Sequence, residues 1–264
     1  MSKIKYNQLL LKKNKQSITC LTAYSQPIAS ILDGRVDLIL IGDSVATTLY
    51  GMKNSQSVTL NMMKIHGLAV TNNINKSITV IDMPYKTYEN KLQALKNAKS
   101  LLNFTKAKMI KLEINKRNLP ILKYLSSKNL NVVAHIGVTP QSFVNFKKIK
   151  AVGRTKKESQ NLIKLALNAA KAGAKAILLE CITEETAKKI TSSISLPTIG
   201  IGSSKYCDGQ VLVFDDLIKI DKKQHYPKFV KNYLNFDDLA SDAVKKFSTD
   251  VRQKKFPSKK YSYQ

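Results

Sequence analysis

Five apolar runs in this sequence end on, or carry near their ends, residues able to do chemistry. "VDLILIGDS" (36–44) closes on Asp43 and Ser44, and "SITVIDMP" (77–84) carries Asp82. "AKMIKLEI" (107–114) holds Lys111 and Glu113, "NVVAHIGV" (131–138) holds His135, and "AKAILLEC" (174–181) reaches Glu180. Any one of these acids alone reads as a solvated strand end or half of a structural ion pair. Recurrence over consecutive runs is a pattern. Four carboxylates gathered at one place repel one another, and a divalent cation relieves the repulsion. Ligands that are all oxygen point to Mg2+ rather than zinc. Lys111 offsets a further negative charge.

The elements that must gather these residues are legible in the same runs. With "SITCLTAY" (17–24), "LPTIGIGS" (196–203) and "GQVLVFDD" (209–216) there are eight short apolar segments. Most are continuously hydrophobic, as parallel strands covered on both faces are. Helix-length patterns lie between several of them. In "TYENKLQALKNAKSLLNF", Leu92, Leu95, Ala98, Leu101 and Leu102 make one helical face. "KKESQNLIKLALNAAKAG" ends in Gly173, a C-cap residue type. "ITEETAKKITSSI" offers Thr183 as an N-cap followed by acids in the first turn.

Strands alternating with helices specify an α/β fold with a parallel sheet. Eight strands in 264 residues predict a single-domain (β/α)8 TIM barrel spanning residues 1–264, since about 250 residues is typical of that fold. An N-terminal helical segment is expected over about 3–15 and a basic C-terminal tail over about 246–264. A doubly wound open sheet is the alternative, weakened because no glycine-rich phosphate loop follows the first strand. In a parallel barrel every C-terminal strand end opens on one mouth, which is where barrel enzymes keep their chemistry.

Composition narrows the function classes. Basic residues number 44 against 18 acidic, a formal charge of +26. A polyanion partner is one reading of that charge. Arginine, however, occurs only at positions 35, 117, 154 and 252, and the lysines are spread along the chain. Nucleic-acid readers lean on arginine for bidentate contacts, so the balance reads as compositional drift and nucleic acid is not expected. No apolar run approaches the ~18 residues of a membrane span. The N-terminus has no signal-peptide core, and Cys20, Cys181 and Cys207 have no paired spacing. A cytoplasmic chain with free thiols is expected, with no membrane partner. His66 reads as a structural histidine within a helix, Cys181 as a packing residue, and His225 carries no signal.

The motifs together resemble one family. "IGDS", "VIDMPY", "IKLE", "AHIGVTPQS", "VGRT", "LLEC", "LPTIGIGSS" and "CDGQVLVFDDLI" fall in the order and spacing of ketopantoate (3-methyl-2-oxobutanoate) hydroxymethyltransferases. "ITCLTAYSQPIASI" and "HYPKFVKNY" are similar as well, so the resemblance runs from about residue 3 to 258. It implies an Mg2+-dependent barrel enzyme of pantothenate synthesis. Such an enzyme moves a one-carbon unit from 5,10-methylenetetrahydrofolate to 3-methyl-2-oxobutanoate, giving 2-dehydropantoate and tetrahydrofolate. Carried over by motif, Asp43 and Asp82 hold the metal and Glu113 completes its site. Asp43, Ser44, Asp82, Lys111 and His135 meet the keto acid, and Glu180 is the base. The resemblance also implies a homo-oligomer, typically decameric.

The sequence departs from the family pattern at Ala46-Thr47, where Gly-Met is usual, and at Ile114-Asn115, where glycines are usual. Ser204 replaces a glycine and Asp215 a common histidine. These changes bear on folate docking and leave the metal and base positions intact. Two other readings are a related keto-acid barrel enzyme of the phosphoenolpyruvate mutase and isocitrate lyase type, and a catalytically decayed, polyanion-binding barrel. The first lacks its cysteine-bearing "KKCGH" loop here. The second gives no reason to keep Asp43, Asp82 and Glu180.

Overall fold

A computed structural model of the chain describes residues 6–142 and 150–263. The eight apolar runs form eight parallel strands: β1 (Ile18–Thr22), β2 (Leu38–Ile41), β3 (Ile78–Asp82), β4 (Met109–Glu113), β5 (Val132–Gly137), β6 (Ala176–Glu180), β7 (Thr198–Ile201) and β8 (Gly209–Leu212). They close in chain order, with β8 beside β1, as a (β/α)8 barrel. Each strand is shorter than its apolar run, and the polar residues mark the ends. Asp82, Glu113 and Glu180 are the last residues of β3, β4 and β6, while Asp43 and Ser44 lie just past β2.

Register carries those ends to one level. Asp82 stands opposite Lys111, Glu113 opposite His135, and Gly137 opposite Glu180. Side chains alternate faces along a strand, so Lys111 and Glu113, two apart on β4, share the barrel's inner face with their cross-strand neighbours.

The helices are α1 (Tyr6–Lys12), α2 (Gln26–Leu32), α3 (Val45–Thr48), α4 (Leu60–Thr71), α5 (Lys91–Thr105), α6 (Leu119–Ser127), α7 (Lys156–Lys171), α8 (Glu184–Ser193), α9 (Phe214–Ile218) and α10 (Phe236–Arg252). Asn90 caps α5 through Gln93 N, and Thr155 with Glu158 forms a capping box on α7. Gly173 follows α7 at φ +97°, a left-handed conformation that glycine supplies without strain. The expected cap of α8 is a correction. Thr183 stands at the N-cap position, but its hydroxyl donates to Gly153 O at 2.9 Å instead of capping the helix. The short β7–β8 connection holds no helix.

The expected N-terminal segment is α1; residues 3–5 of that expectation lie outside the described residues. Leu9 of α1 joins the barrel-interior cluster of Ile18, Leu38, Leu40, Val80 and Met109. Lys12 Nζ reaches Asp37 Oδ1 at 2.5 Å and Lys13 Nζ reaches Asp208 Oδ2 at 2.8 Å. Asp37 and Asp208 immediately precede β2 and β8, so α1 closes the end of the barrel opposite the chemistry.

Asp208 Oδ2 also accepts from Thr198 N at 2.8 Å and Thr198 Oγ1 at 2.9 Å. Both the Asp208 and Lys13 side chains are buried. Removing one partner of a buried ion pair leaves the other charge uncompensated. Asp208→Ala should therefore cost about 3–5 kcal/mol in urea denaturation. A loss near the scatter of surface substitutions would show that the pair does not fasten α1.

Two further acids at this end set an acid limit. Burial works to raise the Asp37 pKa, but Lys12 and the Thr19 amide outweigh it and hold it below the ordinary value. Burial likewise works to raise the Asp33 pKa, but the amides of Asn75, Ser77 and Lys76 outweigh it and hold it below the ordinary value. A group whose folded pKa is depressed stabilises fully above its unfolded value of about 3.9 and loses that contribution as pH falls through the folded value. The urea midpoint should fall with acidification below about pH 4, and Asp33→Asn/Asp37→Asn should flatten that slope. An unchanged slope in the double variant would assign the acid sensitivity elsewhere.

Residues up to Val213 form one compact unit and those from Phe214 onward a second. Within the second, Tyr233 N donates to Leu217 O at 2.8 Å and Asn232 Nδ2 to Asp216 O at 2.6 Å. The basic tail expected from about 246 is helical through Arg252, because α10 runs into it. No helix among the described residues is long and apolar enough to cross a membrane.

Candidate active site

Asp82 is the hub of the mouth. Its Oδ2 accepts the Asp43 backbone N–H at 3.0 Å and lies 3.1 Å from Lys111 Nζ. Its Oδ1 is buried and has no protein partner. Burial raises the Asp82 pKa to about 7; Asp43 adds to the rise and Lys111 opposes it. For Lys111, burial favours the neutral form, but Asp82, Asp43 and Glu113 outweigh it and push the pKa up. Lys111 is thus a buried ammonium fixed on the hub carboxylate.

Glu113 Oε1 accepts the Gln141 backbone N–H at 2.8 Å, and its carbonyl accepts Asn118 Nδ2 at 2.6 Å. Burial raises its pKa to about 8, with Gln141 opposing and Asp43 adding. His135 lies between two acids. Nε2 is 3.2 Å from Glu180 Oε2, and Nδ1 is 4.0 Å from Glu113 Oε1. Neither nitrogen is aligned for a hydrogen bond. Burial, then Lys111, lowers the His135 pKa against the pull of Glu180, so the ring is a neutral imidazole. Ser44 Oγ shares a 2.7 Å hydrogen bond with Tyr24 OH.

The approach of β5 to β6 sets where Glu180 sits. Gly137 has φ +115°, and a Cβ there would lie 2.2 Å from Glu180 O. Only glycine tolerates both the conformation and the contact. Directly after Glu180 the chain turns, with Cys181 at φ +49°. Cys181 N then donates to Ile201 O at 2.9 Å and its carbonyl accepts Val152 N at 2.8 Å. Glu180 is thus pinned on both sides by backbone.

The sequence profile described as ketopantoate hydroxymethyltransferase matches residues 3–259. The chain belongs to that family. A 3-methyl-2-oxobutanoate hydroxymethyltransferase of Pelagibacter ubique (strain HTCC1062) is 45% identical over 252 residues, covering 96% of each chain. The enzyme of that name from Vesicomyosocius okutanii is 40% identical, covering 96% of this chain and 97% of its own. That from Maricaulis maris is 39% identical, covering 96% and 90%. Among solved structures, phosphonopyruvate hydrolase complexed with oxalate and Mg2+ superposes with a TM-score of 0.58 at 13% identity, covering 98% of this chain and 93% of its own. Oxaloacetate acetylhydrolase in complex with oxalate gives 0.59 at 12% identity, covering 80% of each. At that identity these two share the fold alone.

The fold brings all the predicted site residues to one mouth. Among the described residues, no group of three or more His, Cys, Asp or Glu side chains is placed to hold a metal ion by itself. Mg2+ does not need one, because it is held by one or two carboxylates and otherwise by water and substrate. The buried, unpartnered Asp82 Oδ1 beside Asp43 fits that habit. Glu113 has one oxygen already engaged by Gln141.

Two further residues at this mouth carry no mark in the sequence. Gln141, in the turn Pro140–Ser142, is buried; its Nε2 donates to Asp43 Oδ2 at 2.8 Å and Met83 O at 3.0 Å. Its Oε1 accepts from Tyr88 OH at 2.5 Å. Both are neutral and sit in loops, so no periodicity or charge betrays them; Gln141 falls within the motif "AHIGVTPQS". His66 is structural, bonded to Tyr24 O and Tyr50 OH at 2.7 Å each. His225 is exposed in the connection between α9 and α10. Of the departures from the family pattern, Ala46 and Ile114 are buried, and Ser204 Oγ accepts from Tyr206 N at 3.1 Å.

Proposed function

We propose that the chain transfers a one-carbon unit from 5,10-methylenetetrahydrofolate to 3-methyl-2-oxobutanoate, with Mg2+ held by Asp43 and Asp82 and supported by Glu113. The observation that carries this reading is the state of Asp82. One oxygen is fixed by the Asp43 amide and the Lys111 ammonium, while the other is buried and unspent. Mg2+, when bound, supplies Lewis-acid polarisation of the carboxylate and keto oxygens of the substrate.

The residues divide the remaining work. Glu180 takes the proton from C3, breaking the C–H bond. The neutral His135 ring lies 3.2 Å from the Glu180 carboxylate and meets the keto acid. Lys111 keeps its charge in a buried setting, where a fixed cation stabilises negative charge developing on the keto acid more strongly than it could in water. Ser44, held by Tyr24, meets the substrate carboxylate. The C3 electron pair then bonds to the methylene carbon of the folate, whose bonds to the folate nitrogens are broken. One water supplies the hydroxyl oxygen, and its released proton together with the one taken by Glu180 goes to the two folate nitrogens, giving 2-dehydropantoate and tetrahydrofolate.

The first half of this reaction can be watched alone. The purified protein with Mg2+ in D2O should exchange the C3 hydrogen of 3-methyl-2-oxobutanoate, read by loss of its proton NMR signal. EDTA should stop the exchange and added Mg2+ restore it. With 5,10-methylenetetrahydrofolate present, 2-dehydropantoate should appear in the mass spectrum. Exchange that persists in EDTA would remove the metal from the mechanism, and exchange without product would remove the folate.

A further inference from the structure

We propose that Gln141 is a positioning residue for the metal carboxylates, and that the Tyr88 hydroxyl holds its amide in service. The inference rests on the reading that Asp43 and Glu113 serve the ion. One residue engages both of them. Its backbone N–H binds Glu113 Oε1 at 2.8 Å, and its side-chain N–H2 binds Asp43 Oδ2 at 2.8 Å. Glu113 ends β4 and Asp43 lies just past β2, so neither strand alone fixes their separation. The turn Pro140–Ser142 bridges them from a third direction.

The polarity of the amide is dictated by its surroundings. Nε2 faces two groups that can only accept, Asp43 Oδ2 and Met83 O. A flipped amide would set Oε1 against both acceptors with no proton between them. Oε1 is left to accept, and Tyr88, which burial keeps protonated, supplies the donor. The turn itself is held from outside by Gln56 Nε2 on Gln141 O at 2.9 Å. Every polar group of this buried residue is therefore satisfied. Without the Tyr88 hydroxyl, Oε1 becomes a buried acceptor with no partner, which is costly. The choice of a neutral donor also has a consequence. An amide orients two carboxylates without cancelling their charge, whereas a lysine in its place would compete with the cation.

Residues that orient metal ligands typically change metal affinity by about 10–100-fold when removed. The test uses Mn2+ as probe, titrated into EDTA-treated, desalted protein while the EPR signal of free Mn2+ is followed. Gln141→Ala should weaken Mn2+ about 100-fold and Tyr88→Phe about 10-fold. The double variant should bind no more weakly than Gln141→Ala alone, because Tyr88 acts through Gln141. Thermal melting in EDTA tells lost orientation from lost folding. If Gln141→Ala fails to fold, Tyr88→Phe, which removes a single oxygen, decides by itself. Mn2+ binding within two-fold of wild type in the folded variants, or additive losses in the double variant, would overturn the proposal while leaving wild-type keto-acid exchange in place. A wild type that neither binds Mn2+ nor exchanges would overturn it together with the reading beneath it.

Discussion

Replacing Glu180 with glutamine should lower Mg2+-dependent exchange of the C3 hydrogen by about 10²–10⁴-fold, the contribution of a positioned general base. The substitution keeps size and planarity and removes only the ability to accept a proton. Its structural cost should be small, within about 0.5 kcal/mol, because the side chain is 18% exposed and its ionic partner, His135 Nε2, lies at 3.2 Å. An amide oxygen can face that ring as a carboxylate does. Mn2+ affinity should also be unchanged, since Glu180 stands outside the Asp43–Asp82 pair. Loss of exchange with metal binding and folding intact is the signature of a base. Exchange retained near the wild-type rate in Glu180→Gln would pass the proton to another group, and Glu113 is the next carboxylate facing His135.

The division between what the sequence disclosed and what it hid follows from physical signal strength. Continuous apolar runs such as "VDLILI" and "AKAILLE" have one stable use in an α/β chain, a strand covered on both faces. The acids that terminate them cannot be buried without a partner, so Asp43, Asp82, Glu113 and Glu180 stood out against their own neighbours. Closure of eight parallel strands then placed them with no further information. Gln141 and Tyr88 had no such contrast. Both are of ordinary type for loops, and their roles exist only through contacts 98 and 53 residues apart in the chain. Thr183 failed differently. Its position matched a helix cap, but the carbonyl of Gly153, brought close by the fold, accepted its hydrogen bond. Local rules named the cap, and a tertiary acceptor outcompeted the helix.

Lys111 offers the sharpest separation of stability from chemistry. Its stem lines the apolar barrel interior with Cys20, Val80 and Met109, and its ammonium sits on Asp82. Methionine fills such a stem's space without strain, so Lys111→Met removes the charge and little else. Asp82 would then be a buried carboxylate beside Asp43 with no cation. In EDTA the variant should lose about 3–5 kcal/mol in urea denaturation, as when one partner of a buried pair is deleted. Exchange should fall about 10²–10³-fold, as for loss of one preorganised electrostatic group. Adding Asp82→Asn makes the hub neutral, and replacing both members of a buried pair is often neutral for stability. The double variant should therefore recover most of the lost stability and none of the exchange. Recovery of both would mean that the pair serves only to hold β3 against β4. Full exchange in Lys111→Met alone would show that negative charge on the substrate is stabilised elsewhere.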